Sequence, residues 1–137
     1  MTARVAAIAM LAALSACGAG HTQAPDDAAV CALYAQRADK AEALASGSVA
    51  AILGTRRGPS GEHEGFLLRL DSGCALTLRV ETNVDLTGPV PLTRGQHVLV
   101  KGEYIYDPRG GLLHWTHRDP RGRHVGGYVE AGGRLYE

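Results

Sequence analysis

An excess of charge of either sign is missing from this chain: across 137 residues, 14 Lys and Arg face 14 Asp and Glu. That balance removes the electrostatic case for a general binder of nucleic acid or anionic lipid surfaces. Large aromatic anchors are few, with one Trp and one Phe. Missing too are the phosphate-cradling P-loop and the dinucleotide fingerprint, because the Gly-Gly pairs lie in hairpin-like turns rather than before a helix. No Ser/His/Asp or Cys/His nucleophile pattern is visible. The length is too short for two ordinary domains, and the composition is that of a glycine-rich, helix-poor globular chain.

A long apolar run is also lacking. The longest one, Val5 to Leu14, follows a single charge, Arg4, and consists of Ala, Val, Ile, Met and Leu. About ten residues reach roughly 15 Å as a helix, half the hydrocarbon thickness. The pattern predicts a signal peptide over residues 1–16 rather than a stable span. It ends on Leu14-Ser15-Ala16-Cys17-Gly18, which resembles the lipobox of bacterial lipoproteins, with Cys17 as the lipidated N-terminus of the mature chain. Gly18 resembles the outer-membrane sorting pattern of Gram-negative lipoproteins, which implies a periplasm-facing domain in the cell envelope. Lipid chains contribute about 0.8 kcal/mol per buried methylene, so the membrane would hold the domain by its anchor. Residues 17–25 are rich in breakers and read as a lipidated tether.

Lipidation leaves Cys31 and Cys74, which an oxidising compartment would pair as a disulfide; two buried free thiols are the alternative. Asp26 and Asp27 are N-cap candidates for an alanine-rich amphipathic helix over residues 26–46, closed by Ser46 and Gly47. Beyond it only short runs between glycines remain. They predict strands at residues 48–57, 66–70, 74–81, 97–106 and 112–116, with a last hairpin over 127–136. Phe66, Leu68 and Leu70 share one parity, as do Leu76, Leu78 and Val80, so these strands are half buried. Residues 81–94, with Pro89 and Pro91, form a connection without a convincing helix. The expected architecture for residues 47–137 is mainly β, a small OB-like five-stranded barrel preceded by one N-terminal helix, with a small sandwich as the alternative.

The dense signal lies near the C-terminus. Residues 97–133 hold four of the six histidines, the only Trp and three of the five tyrosines. The string His114-Trp115-Thr116-His117-Arg118-Asp119-Pro120, within a glycine-punctuated stretch running to Glu137, resembles a small exported bacterial family known as domain of unknown function 3465. The resemblance covers residues 48–137 and implies an OB-like shape; the family brings no activity with it. Where the family pattern has a His-Asn pair before Ile/Val-Asp, this chain has Thr82-Asn83 before Val84-Asp85. A catalytic or ligating role for that histidine would be lost here.

Three readings of this cluster follow from its residue types. In the first, His114 and Trp115 pack a tight closure while Thr116 and Asp119 satisfy backbone donors. In the second, Tyr104, Trp115, His117, Arg118, Arg121 and Arg123 form a ligand face for an envelope glycan, a peptide or a protein partner, nucleic acid being the disfavoured ligand. In the third, His63, His114, His117 and Asp119 form a catalytic site, with His114, His117 and Asp119 holding zinc or manganese in a metal-dependent hydrolase of nuclease or phosphodiesterase type. The spacing opposes that last reading, since His114 and His117 leave an extended strand on opposite faces unless it ends or bulges near Thr116. The preferred expectation is a non-enzymatic binding or structural module without a cofactor.

Overall fold

The computed structural model describes residues 23–137; the predicted signal peptide and Cys17 lie outside the described residues. The elements follow as α1 (Asp27–Ala35), β1 (Asp39–Gly58), β2 (Gly61–Leu70), β3 (Thr77–Asn83), α2 (Val84–Thr87), β4 (His97–Ile105), β5 (Leu112–His114), β6 (Tyr128–Ala131) and β7 (Arg134–Tyr136). Neighbours pair in the order β1-β2-β3-β5-β4, and a β1–β4 pairing closes these five strands into a ring. The β3–β5 contact is parallel and the other ring contacts are antiparallel. This is the mainly β, OB-like ring with one N-terminal helix that the strand pattern predicts. The β6–β7 hairpin extends the sheet from β4.

Two strands close the ring by changing partners along their length. The first part of β1 pairs with β4 and the second with β2, and Gly47 sits in the overlap, opposite both Leu70 and Val98. A Cβ there would lie 2.3 Å from the Arg69 carbonyl oxygen, so only glycine lets the two neighbours approach. Register shifts at Val49/Ala51 and Ile52/Gly54 add the bend that a short ring needs. Strand β4 does the same on its other edge: Val98–Lys101 pair with β6 and Glu103–Ile105 with β5. The changeover falls at Gly102, where a Cβ would meet the His114 carbonyl oxygen at 2.4 Å.

The inward parity is the expected one, with Phe66, Leu68, Leu70, Leu76, Leu78 and Val80 all in the core. Tyr104 departs from expectation. It is completely buried beside Gly111 rather than part of an exposed ligand face. It shares the parity of Val98 and Val100 on β4, and burial pushes its hydroxyl pKa up to about 12.

The helix is also shorter than the periodicity over residues 26–46 suggests. Asp26 caps it, its side chain accepting from the Ala29 N–H at 2.9 Å. It ends at Ala35 because Arg37 takes a left-handed conformation (φ 51°), with Ala38 N–H donating to Leu33 O and Arg37 N–H to Tyr34 O. That is a Schellman closure made without glycine. Residues 39–46 instead join β1, where pairing with β4 overrides their helical propensity. The Asp27 carboxylate is buried between α1, β1 and the β2–β3 turn, accepting from the N–H and hydroxyl of both Ser46 and Ser72 at 2.8–3.3 Å. A Cys31–Cys74 disulfide ties the same helix to the same connection, which resolves the thiol question in favour of pairing. The connection after β3 contains one helical turn, α2, capped by Asn83, too short for a periodic signal.

Candidate functional site: a cleft of imidazoles and arginines

The geometry of the site is set where β5 stops. Its last residue is His114, and Trp115 follows in a left-handed conformation (φ 53°) that no strand can continue. The break falls one residue before Thr116. The buried Thr116 hydroxyl then donates to the Glu81 carbonyl oxygen at 3.0 Å, fixing the chain across the end of β3. Gly127 N–H donates to His117 O at 2.9 Å and closes the excursion. As a result His114 and His117, which a continuous strand would separate, line one cleft of about 990 Å³. Its other walls are the β1–β2 hairpin with Arg56 and Ser60, His63 on β2, and Glu81 and Asn83 at the end of β3.

The carboxylates lining this cleft are already engaged. Both oxygens of Glu81 accept from one nitrogen, Nη2, of Arg56 at 2.7 Å, and Glu81 lies 2.6 Å from the Arg79 guanidinium. Burial would raise its pKa, but the two guanidiniums outweigh burial and hold it below the ordinary carboxylate value. Asp119 is likewise raised by burial and lowered further by backbone N–H groups, giving a net shift downward. Its oxygens accept from Arg121 N–H at 2.9 Å, from His124 N–H at 3.0 Å and from Arg123 N–H. This is a carboxylate that shapes a loop. Asp85 accepts from Glu62 N–H at 2.9 Å. The Arg121 guanidinium, by contrast, has no ion-pair partner among the described residues, and Arg123 has only a 3.8 Å approach to Asp119.

The imidazoles share an orientation. Nδ1 of His63 lies 3.1 Å from Gly61 O, Nδ1 of His117 2.6 Å from Arg118 O, and Nδ1 of His124 2.8 Å from Val125 O. A carbonyl oxygen only accepts, so each Nδ1 carries a proton; Nε2 of His63 lies 3.4 Å from the Ser60 hydroxyl and Nε2 of His124 3.9 Å from an Asp119 oxygen. His117 is the most enclosed histidine of the HWTH string. Burial lowers its pKa below the ordinary imidazole value, and the charges of His124 and His63 lower it further against the opposing pull of Arg118 O and Asp119. His114 differs, with Nε2 held by Glu103 at 3.1 Å. The Trp115 indole stacks on His114 (centroids 4.9 Å, planes 13° apart) and on His124 (4.4 Å, 15°).

Of the residues singled out in the sequence, His63, His114, Trp115, His117, Asp119, Arg121 and Arg123 line the cleft. Tyr104 is in the core. Arg118 lies outside the lining and pairs with Glu137. The alternative metal set does not converge: His114 is held by Glu103 and Asp119 by backbone donors, and among the described residues no three His, Cys, Asp or Glu side chains are grouped to hold a metal ion. Thr82, where the resemblance leads us to expect a histidine, is fully buried with its hydroxyl unpaired, while its neighbours Glu81 and Asn83 line the cleft. Sequence reasoning missed Arg56, Ser60, Glu81 and Asn83. A charge opposition between Arg56 and Glu81 was readable in principle, but only once the bulges in β1 fix which face Arg56 takes.

No curated protein and no solved structure matches the chain. A family model does: the one described as "Protein of unknown function (DUF3465)" matches residues 10–137, and the chain belongs to that family.

Proposed function

We propose that this chain is a lipid-anchored envelope protein whose OB-like ring serves as a binding module. Its cleft takes an anionic group carried by an envelope glycan, peptide or protein. One observation carries the reading: the cleft's carboxylates are occupied by arginines and backbone donors, whereas in the same lining Arg121 has no ion-pair partner among the described residues and Arg123 only the 3.8 Å approach to Asp119. Guanidiniums in that state attract phosphate or carboxylate. The Leu14-Ser15-Ala16-Cys17 string supports the anchor.

The single Trp lies in the cleft, so its fluorescence reports occupancy directly. The full chain in detergent is titrated with inorganic phosphate, a phosphorylated sugar and solubilised envelope fractions, against chloride at equal ionic strength. We expect saturable quenching with the phosphate-bearing ligands, weakened by a combined Arg121→Gln and Arg123→Gln exchange. A flat Trp115 signal with every phosphate ligand and fraction defeats the reading.

A further inference from the structure

We propose that His63 and His117 form an acid–base pair that cleaves a polyol phosphodiester by internal transesterification; the inference rests on the anionic cleft argued above. The topology brings the two residues together from distant parts of the chain. His63 on β2 pairs with Asn83 on β3, and Thr116, immediately before His117, is bonded to Glu81 two residues earlier on the same strand. Both side chains line the one cleft, and the charge of His63 is felt at His117. Each ring donates Nδ1–H to a backbone carbonyl, which fixes its orientation, and proton transfer falls to Nε2; that of His63 lies 3.4 Å from the Ser60 hydroxyl, a long contact that a substrate oxygen can displace. Burial shifts the His117 equilibrium toward the neutral form, the one a base needs. Arg121 and Arg123 lie in the same lining to meet charge developing on phosphorus-bound oxygen.

The step balances within the substrate and these two groups. Neutral His117 takes the proton of a hydroxyl on the carbon next to the phosphoester. That oxygen attacks phosphorus, a P–O bond forms, and a cyclic phosphodiester results. The bond to the departing alkoxide breaks as protonated His63 delivers its proton. The pair ends with protonation exchanged, and solvent restores it. A polyol rather than a nucleotide is favoured because Trp115, the one aromatic side chain among the cleft residues apart from histidines, already stacks on two imidazoles, so a base would have to displace one of those stacks to lie on its ring.

The test uses full-length protein in detergent with a chelator present. Its substrates are 2-hydroxypropyl 4-nitrophenyl phosphate, glycerophosphoglycerol and the dinucleotide UpU, with products followed by absorbance and phosphorus NMR. We expect a cyclic product from the first two; a loss of about 100-fold or more in His117→Asn on both; and, on glycerophosphoglycerol, whose leaving alkoxide needs the proton that 4-nitrophenolate does not, a bell-shaped pH profile and a similar loss in His63→Asn. Asparagine can keep the donor that Nδ1 supplies while removing Nε2, and Trp115 quenching by inorganic phosphate shows whether each variant retains its cleft. Phosphate binding without cleavage overturns this inference and leaves the binding reading standing; absence of both overturns the two together. Activity that survives His117→Asn, or that the chelator abolishes, overturns the acid–base pair. Turnover of UpU in preference to glycerophosphoglycerol overturns the polyol assignment.

Discussion

The hydroxyl of Thr116 and the carbonyl oxygen of Glu81, 35 residues apart, meet at 3.0 Å and hold the segment after β5 on the end of β3. Thr116 is fully buried, so Thr116→Val keeps the volume, removes the donor and leaves the acceptor dry. The expected cost is about 1–3 kcal/mol, read as a shift in the urea midpoint at unchanged slope. Phosphate quenching of Trp115 should weaken in the same variant. An unchanged midpoint shows that this bond does not hold the segment.

The disulfide gives a second prediction. Cys31 and Cys74 are 43 residues apart, and closing a loop of that length stabilises a fold by about 4 kcal/mol in the chain-entropy model. The double exchange to Ser should lower unfolding free energy by roughly that amount. Mass analysis after alkylation of the unfolded, unreduced protein should find neither of these two thiols modified. Labelling of both would contradict the pairing.

Acidification tests His117. Its folded pKa lies below the ordinary value of 6.5, so the unfolded chain binds the proton more readily than the folded one. Stability is therefore intact above 6.5 and falls as pH drops through the folded pKa. Melting temperature recorded from pH 7 downward should decline for the wild type, and less steeply for His117→Asn. Equal slopes would mean that another group governs this window.

Anchoring is testable apart from the fold. Cys17→Ser should move the protein from the membrane fraction to the soluble fraction and abolish metabolic labelling with a radioactive fatty acid. A membrane fraction unaffected by the exchange counts against the lipobox.

How much was legible beforehand depended on the range of each signal. Alternation is local, so the core parity of Phe66, Leu68 and Leu70 could be read directly. The same logic applied to Val98, Val100 and Tyr104 places the tyrosine inside; its aromatic character and nearness to the histidines pointed the other way. The helix boundary was hidden because Arg37 adopts a conformation that usually announces itself with glycine, and because residues 41–45 have high helical propensity until β4 pairs with them. In the cleft, the HWTH residues stand together in the chain and were visible. Their partners Arg56, Glu81 and Asn83 come from other strands and become neighbours only through ring closure and the β1 bulges.

The order of the sheet bears on how neighbouring copies of the chain would meet. Its outermost strand is β7, with the three residues Arg134–Tyr136 and a guanidinium on Arg134. A short, charged rim of this kind is a poor template for a neighbouring chain. Copies held side by side on a membrane, as the anchoring proposed above would hold them, would therefore meet at this edge without zipping together.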